Sequence, residues 1–241
     1  MPDEWPGESM CRKAIRYLGA VALVAAAAGS AEAECTDYPQ PGVDWHGCSK
    51  TNRIMPGYDF HGANLERINF SDSDLSGANF ADARLAKSNL ARALLKGAKF
   101  ERADLTKATL DRADLQGADL GDALLEKASL NRAKLAMANL AGATLDKAEL
   151  KRAVLTGADL TGAQLGGADL SRADLRRARF SQSDLRNADL HLADLRGSDL
   201  TGAVGVSQAQ LAETCGDATT KLPPEMVAPS AWPCATQGAE E

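Results

Sequence analysis

Lysine and arginine recur at fixed spacing along this chain and form its most regular set of chemically active side chains. One series, spaced by 20 residues, contains Arg67, Lys87, Lys107, Lys127 and Lys147. A second series with the same spacing contains Arg92, Arg112, Arg132, Arg152 and Arg172. Regularly placed cations of this kind can bind carboxylate, phosphate or sulfate groups. The two series are therefore candidate binding sites for an anion or an acidic partner.

The residue types that usually carry catalysis are scattered. His46, His61 and His191 follow no motif, and the sequence has no phosphate-binding glycine loop, Gly-x-Ser-x-Gly turn or zinc signature. Aspartate is abundant because it precedes leucine in many short repeats, where it is expected to cap turns or to face solvent. We therefore expect no catalytic residue, no cofactor and no enzymatic activity.

A five-residue repeat positions these side chains. Every fifth residue from Phe60 to Leu200 is leucine or phenylalanine, and two positions earlier lies Ala or Ser, except at Tyr58 and Ile68. A helix rotates by about 100° per residue, so residues five apart would not share a face. Three extended residues and a two-residue bend would instead return every leucine to the inside. Glycine alternates with Arg and Lys at the second bend position, so we expect that position not to require positive φ in every repeat.

A second period of 20 residues lies over the first. Phe60, Phe80, Phe100 and Phe180 share one phase of this period, and the members of each basic series share another phase. A coil of four repeats would stack each set into a column, which is typical of a solenoid. At strand spacing we expect about 7 coils and a length of roughly 35 Å. The inward ladder would contain Phe60, Phe80, Phe100, Leu120, Leu140, Leu160, Phe180 and Leu200.

The A-(D/N)-L-x-x units from Tyr58 to Gly202 resemble those of the pentapeptide-repeat proteins. The resemblance implies an all-β, right-handed β-helix of quadrilateral cross-section, with one pentapeptide on each side. Tyr58 and Ile68 are larger than the small inward residue of the family, so the first coil is expected to be distorted. The P-G-V-D-W-H-G-C stretch at residues 41–48 is similar to the start of exported members of the family.

The N-terminal segments predict export followed by a cap. Residues 1–33 look like a leader with a basic start, a short apolar run and a cleavage site after Ala33. A retained membrane anchor is the alternative for this segment. Residues 34–57 are expected to form an irregular cap in which Tyr38 and Trp45 cover Phe60.

The five-residue repeat covers residues 58–202. Residues 203–241 are expected to form a C-terminal cap. Ser207 and Gln210 have capping-box spacing, which predicts a short helix from Gln208 to Thr214. Gly216 would end that helix, and the proline-rich remainder would be irregular.

Four cysteines remain after the predicted cleavage. Cys35 and Cys48 precede the repeats, whereas Cys215 and Cys234 follow them. A disulfide needs Cα atoms within about 7 Å and cannot connect the two ends of the rod. We therefore predict the pairs Cys35–Cys48 and Cys215–Cys234. A metal site that uses His46 and His61 is the alternative, although Cys-x-x-Cys spacing is absent.

Charge balance limits the choice of partner. Residues 58–202 carry 21 basic and 21 acidic side chains. Some pentapeptide-repeat relatives mimic DNA and inhibit type II topoisomerases, which requires an acidic surface and an intracellular location. That alternative would require the leader assignment to be wrong. We expect no nucleic-acid partner and no transmembrane segment in the mature chain.

The sequence thus predicts a non-enzymatic exported scaffold, periplasmic or secreted, that is structural or binds an acidic protein, a glycan or a lipid head group. The alternative for the basic series is a solvated face with weak ion pairs, each worth about 0–1 kcal/mol. Such pairs would join sequence neighbours, namely Asp111 with Arg112, Glu126 with Lys127 and Asp146 with Lys147.

Overall fold

A computed structural model describes residues 35–232 of the 241-residue chain. Parallel bridges join residues 20 positions apart, from Asp44 with Asn64 to Asp184 with Val204. Each coil therefore contains 20 residues and four pentapeptides, and each pentapeptide consists of a two-residue turn followed by a three-residue extended side. The molecule is a repeat solenoid, as the 20-residue period predicts.

The sides of the coil are too short to form long strands. Within residues 35–232, pairing occurs as isolated one-residue bridges, and the one helix is α1, Gln208–Ala212. The expectation of an all-β fold holds for the bridging pattern but not for multi-residue strands. The physical reason is that a turn interrupts the extended backbone after every third residue.

Backbone hydrogen bonds explain why the coils stack. In the repeat centred on Leu105, the N–H of Leu105 donates to the carbonyl of Leu124 at 2.7 Å, and the N–H of Lys107 donates to that of Glu126 at 2.9 Å. Thr109 N–H donates to the preceding coil, at the carbonyl of Ser88, also at 2.9 Å. The same pattern recurs through the rod, so each side is bonded to the coils above and below it.

The core consists of the leucine and phenylalanine positions together with the small residues two places earlier. All eight ladder residues from Phe60 to Leu200 are fully buried. The rings of Phe60 and Phe80 stack with centroids 5.0 Å apart, and those of Phe80 and Phe100 with centroids 4.8 Å apart. These distances equal the rise of one coil, so equivalent side chains of successive coils lie directly on one another.

The second turn position is left-handed in every repeat, and the expectation that Arg and Lys would relax this requirement was wrong. Its φ is +66° at Gly77, +58° at Arg92 and +59° at Lys87. A left-handed residue with a side chain costs roughly 1–2 kcal/mol. The inter-coil bond from the N–H at this position recurs even where the residue is Arg or Lys, so the coil geometry fixes φ whichever residue is present.

The solenoid begins upstream of Tyr58, and residues 41–57 are not an irregular cap. Asp44, Ser49 and Ile54 bridge to the residues 20 positions later, and regular two-residue turns begin at residue 41. Trp45 is fully buried with its ring centroid 5.6 Å from that of Phe60, whereas Tyr38 is 56% exposed. Trp45 thus covers Phe60 as a core residue of an additional coil, while Tyr38 lies largely in solvent.

The expected distortion of the first coil does not occur. Ile68 is fully buried at a position that holds alanine or serine in the later repeats. Tyr58 is exposed, and its ring centroid lies 6.5 Å from that of Phe60. The inter-coil bonds Phe60 N–H to Asn79 carbonyl, 2.7 Å, and Asn79 N–H to Tyr58 carbonyl, 2.9 Å, are regular. The large side chains are accommodated because one packs inward and the other turns outward.

The C-terminal cap contains the predicted capping box. Ser207 accepts from the backbone N–H of Gln210, whose side chain accepts from the N–H of Ser207, and Leu211 is fully buried. The helix ends earlier than predicted, with Glu213 as its C-cap residue. Gly216 serves a different purpose, because a Cβ there would lie 2.4 Å from the Trp232 ring.

Candidate anion-binding surface

The two basic series occupy neighbouring edges of the solenoid. We name Arg67, Lys87, Lys107, Lys127 and Lys147 the lysine column, and Arg92, Arg112, Arg132, Arg152 and Arg172 the arginine column. Each member occupies a left-handed turn position, one per coil, and each is exposed. The columns are one pentapeptide apart, so they flank one row of outward residues that includes Asn89, Thr109, Ser129, Glu149 and Asp169.

Arg92, at the start of the arginine column, binds a carboxylate of the preceding coil. Its Nε and one terminal nitrogen donate to the two carboxylate oxygens of Asp72, both at 2.6 Å. This hydrogen bond lowers the pKa of Asp72 and raises the pKa of Arg92. On another edge, Arg102 binds Asp82 in the same way at 2.8 and 2.6 Å. Two turn positions one coil apart therefore have the right spacing for bidentate recognition of a carboxylate.

The other four arginines of the column have no such partner. Arg112, Arg132, Arg152 and Arg172 make no ion pair with any residue in the range 35–232. The predicted neighbour Asp111 is used elsewhere, since it accepts from the Ser129 hydroxyl at 2.5 Å and from the Asn131 backbone at 3.0 Å. The positions equivalent to Asp72 are occupied by further arginines, so this edge carries successive uncompensated cations.

A shallow depression of about 380 Å³ lies in the arginine column. Three successive coils each contribute two turn residues to its lining: Asn131, Arg132, Lys151, Arg152, Ser171 and Arg172. Lys151 donates toward Asp169 across 3.0 Å, and this contact raises the pKa of Lys151. The guanidinium groups remain the uncompensated charges of the lining.

The lysine column is partly neutralised by a sequence neighbour. Lys127 donates to Glu126 at 2.7 Å, and this contact lowers the pKa of the Glu126 carboxyl. Among the residues that the structure describes, Lys147 makes no ion pair with the adjacent Asp146. Of the three neighbour pairs predicted from the sequence, the structure contains the one between Glu126 and Lys127.

The aspartates that precede leucine cap the turns. Asp104 accepts from the backbone N–H of Thr106 at 2.9 Å, and Asp159 accepts from the N–H and hydroxyl of Thr161 at 3.0 and 2.6 Å. Asn79 caps its turn in the same way, through the N–H of Ala81. These side chains satisfy the first N–H of the bend, which is the Asx-turn role expected from the sequence.

The cysteines near the N-terminus form a disulfide rather than a thiolate site. Cys35 and Cys48 are bonded with Cα atoms 5.6 Å apart, which confirms the predicted pair. His46 faces Glu66 at 3.9 Å, and His61 faces Asp82 at 3.7 Å. The metal alternative thus loses its thiolate ligands, and residues 35–232 contain no group of three or more potential ligands.

Of the predicted pair Cys215–Cys234, the structure describes Cys215. Cys215 is disulfide-bonded. Its backbone forms a parallel β-bridge with Asp194 of the preceding coil. Cys234 lies outside the described residues, as do residues 1–33 with the proposed leader. The pairing of Cys215 with Cys234 therefore stays a prediction.

One buried cation, Lys50, was not predicted from the sequence. Lys50 occupies a central core position and is only 6% exposed. Its ammonium lies 4.1 Å from the Trp45 ring centroid and donates to the Cys35 carbonyl at 2.6 Å. Burial lowers its pKa, Arg53 lowers it further, and Asp37 opposes the shift. Counting back by fives from Phe60 would have placed Lys50 in the core.

Within residues 35–232, no helix combines the length and apolar character needed to cross a membrane.

Comparison with known proteins supports the solenoid. The family model for pentapeptide repeats matches in eight copies, and the matched segments include residues 59–90, 73–111, 88–126, 108–145, 123–162, 133–175 and 163–202. Comparison with curated proteins gave no match.

Solved structures of pentapeptide-repeat proteins are also similar. Two trypsin-treated forms of QnrB1, a plasmid-mediated fluoroquinolone resistance protein, match with TM-scores of 0.60 and 0.55 at 19% and 20% identity. These matches cover 79% and 76% of this chain and 92% of each QnrB1 chain. HetL, which is involved in heterocyst differentiation regulation in the cyanobacterium Nostoc sp. strain PCC 7120, is 28% identical over 71% of this chain and 90% of its own, with a TM-score of 0.42. Because the repeat model matches more than half of the chain, this protein belongs to the pentapeptide-repeat protein family.

Proposed function

We propose that this protein is an exported, non-enzymatic scaffold whose arginine column binds anionic groups of a partner. The observation that carries the proposal is the contrast within that column. Arg92 is neutralised by Asp72, whereas Arg112, Arg132, Arg152 and Arg172 are exposed and pair with no carboxylate in residues 35–232. Rigidly spaced cations lose little conformational freedom on binding, which favours association with an equally charged partner.

The proposal includes a specific architecture. Four turns per 20-residue coil support a quadrilateral cross-section, and we propose a right-handed winding with about 7 coils between residues 58 and 202. Such a rod would keep the spacing of the arginine column fixed. Solution scattering of the full chain checks the dimensions, since a compact globule of equal mass would contradict an elongated rod.

Export is the second part of the proposal. The Cys35–Cys48 disulfide supports it, because disulfides persist mainly in oxidising compartments. Mass spectrometry of the protein recovered from cells should find Glu34 at the N-terminus. An intact Met1 terminus on protein with reduced cysteines would exclude export.

Anion binding is tested with heparin, a generic sulfated polyanion. Replacing Arg112, Arg132, Arg152 and Arg172 by Gln should lower the salt concentration needed for elution, because fewer ionic contacts remain. A matched control replaces Lys87, Lys99, Lys107 and Arg177 by Gln, four exposed cations outside the arginine column that likewise form no ion pair within residues 35–232. Equal losses in both variants would mean that net charge, rather than the arginine column, governs retention.

DNA mimicry is not the function that these features support. The repeat region is balanced in charge, and its uncompensated edge is basic, whereas a DNA mimic needs an acidic surface. The likeness to QnrB1, at 19% and 20% identity, concerns the fold alone.

A further inference from the structure

We infer that the depression formed by Arg132, Arg152 and Arg172 binds a phosphate monoester or diphosphate group. The inference rests on the proposed anion-binding function and names the ligand class for one part of the arginine column. The three guanidinium groups come from equivalent positions of three successive coils and line one concave surface. A ligand seated there would meet donors from all three coils.

The molecule contains its own example of this recognition. Arg92 donates to both oxygens of Asp72 from the equivalent position one coil away, at 2.6 Å for each bond. Arg102 and Asp82 repeat the arrangement on another edge. An arginine at this left-handed position can therefore reach an oxyanion located where the neighbouring coil's turn side chain lies. In the depression that side chain is another arginine, so the oxyanion must come from outside.

The carboxylates around the depression do not neutralise it. Glu149 accepts from the Asn131 side-chain amide at 2.9 Å, and Asp169 accepts from the Ser171 hydroxyl at 2.6 Å and faces Lys151 at 3.0 Å. Three guanidinium charges remain. A phosphate monoester carries about −1.5 to −2 charges and three acceptor oxygens at neutral pH, which suits this set better than a single carboxylate does.

The spacing of the arginines disfavours an acidic peptide. Successive coils rise by 4.8–5.0 Å, as the stacked Phe60, Phe80 and Phe100 rings show. An extended peptide places side chains on one face roughly every 6.6 Å, so its carboxylates would fall out of register with the column. A compact anion avoids this mismatch because it can contact adjacent coils at once.

The test is calorimetric titration of the full chain with pyrophosphate and with glycerol phosphate. Arg152→Gln, at the centre of the depression, should weaken binding about tenfold or more, because a charged hydrogen-bond donor is lost. Arg177→Gln is the matched control, since Arg177 occupies the same left-handed turn position on a different edge, with φ of +59° against +57° at Arg152. Arg132→Gln provides a second variant, and natural Gln182 shows that glutamine is accommodated at this kind of position.

The pH profile separates a phosphate ester from other anions. The second phosphate pKa is about 6, so glycerol phosphate should bind more tightly at pH 7.5 than at pH 5, relative to sulfate. Glu149, Asp169, Lys151 and His191 are the titratable groups around the depression, and their titration would change sulfate binding as well. The ratio of the two affinities therefore reports the ligand's own ionisation.

The source of the phosphate is resolved by comparing soluble and membrane-bound probes. Binding of glycerol phosphate that Arg152→Gln weakens supports a soluble ester, whereas binding confined to phosphatidate vesicles and weakened in the same way supports a lipid head group. Unchanged affinity in Arg152→Gln overturns the inference, and so does equal affinity for sulfate or a glutamate decapeptide at pH 7.5. If heparin retention still depends on the arginine column in that case, the proposed function stands without the phosphate site.

Discussion

Arg92 binds Asp72, which lies 20 residues earlier in the chain, through two hydrogen bonds of 2.6 Å. The sequence neighbour of the arginine, Ala91, offers no charge, and the partner comes from the coil below. Most ion pairs on this solenoid therefore join side chains of adjacent coils. The same relation explains why a column of arginines without interspersed aspartates leaves an uncompensated edge.

The turn-capping aspartates predict acid sensitivity. Hydrogen bonds from the Arg186 side chain and backbone lower the pKa of Asp184, so the folded state binds that proton more weakly than the unfolded chain does. The resulting stability is complete above the unfolded pKa of about 4 and is lost as pH falls through the folded pKa. Melting curves between pH 2 and pH 7 should show the lowest melting temperature at the acid end.

Asp184→Asn is the matched variant for this effect. Asparagine already caps equivalent turns at Asn79 and Asn89, so the backbone bond should persist while the titration is removed. We expect the variant to lose less stability than the wild type between pH 5 and pH 2. Identical pH dependence in the two proteins would show that Asp184 does not contribute.

At the left-handed turn position of Gly77, the cost of a substitution should depend on how well the new residue tolerates positive φ. Its φ is +66°, and a Cβ there would meet no atom within 4 Å, so any cost of substitution comes from the backbone. Gly77→Val should destabilise the fold by about 1–2 kcal/mol, whereas Gly77→Asn should cost much less, because asparagine tolerates this conformation. Chemical denaturation of both variants measures the difference, and equal stabilities would argue against strain at this turn.

Two substitutions at Lys50 should separate the contribution of side-chain packing to stability from the contribution of the buried charge. Lys50→Ala removes the stem from the core and the cation from the Trp45 ring, so we expect a loss of about 2–3 kcal/mol. Lys50→Met keeps a side chain of similar length without a buried charge, and it should recover at least half of that loss. Thermal unfolding of the two variants gives the comparison. A Lys50→Ala protein as stable as the wild type would mean that the site relaxes freely.

The Cys35–Cys48 disulfide should stabilise residues 41–57, the N-terminal part of the solenoid, against local unfolding. The two residues are 13 positions apart, and a loop of that size corresponds to roughly 3 kcal/mol of stabilisation. Because each coil contacts only its neighbours, Cys48→Ala should accelerate hydrogen exchange in residues 41–57 and leave residues 100–180 unchanged. Alanine occupies this inward position in most other coils, so the change isolates the disulfide. Uniform acceleration along the rod would indicate a single cooperative unit.

Two predictions from residue type were wrong, at residues 41–57 and at Gly216. Residues 41–57 looked irregular because their core positions hold Trp45, Lys50 and Met55 instead of leucine, although the spacing of five is maintained. Gly216 looked like a helix terminator, but its lack of a side chain admits the Trp232 ring. In both places the residue type suggested the wrong role, and the contacts in the structure reveal the actual one.

The sequence by itself determined the five-residue repeat, the 20-residue coil, the buried leucine ladder, the turn-capping aspartates and the Cys35–Cys48 pair. These features follow from local spacing and from burial, which a periodic pattern encodes directly. Tertiary structure alone decided the left-handed φ at arginines and lysines, the contacts of Lys50 with the Trp45 ring and the Cys35 carbonyl, and the choice of Asp72 as the partner of Arg92. Each of these depends on what the next coil places beside a residue, and stacking brings together side chains 20 positions apart that compete with nearer neighbours.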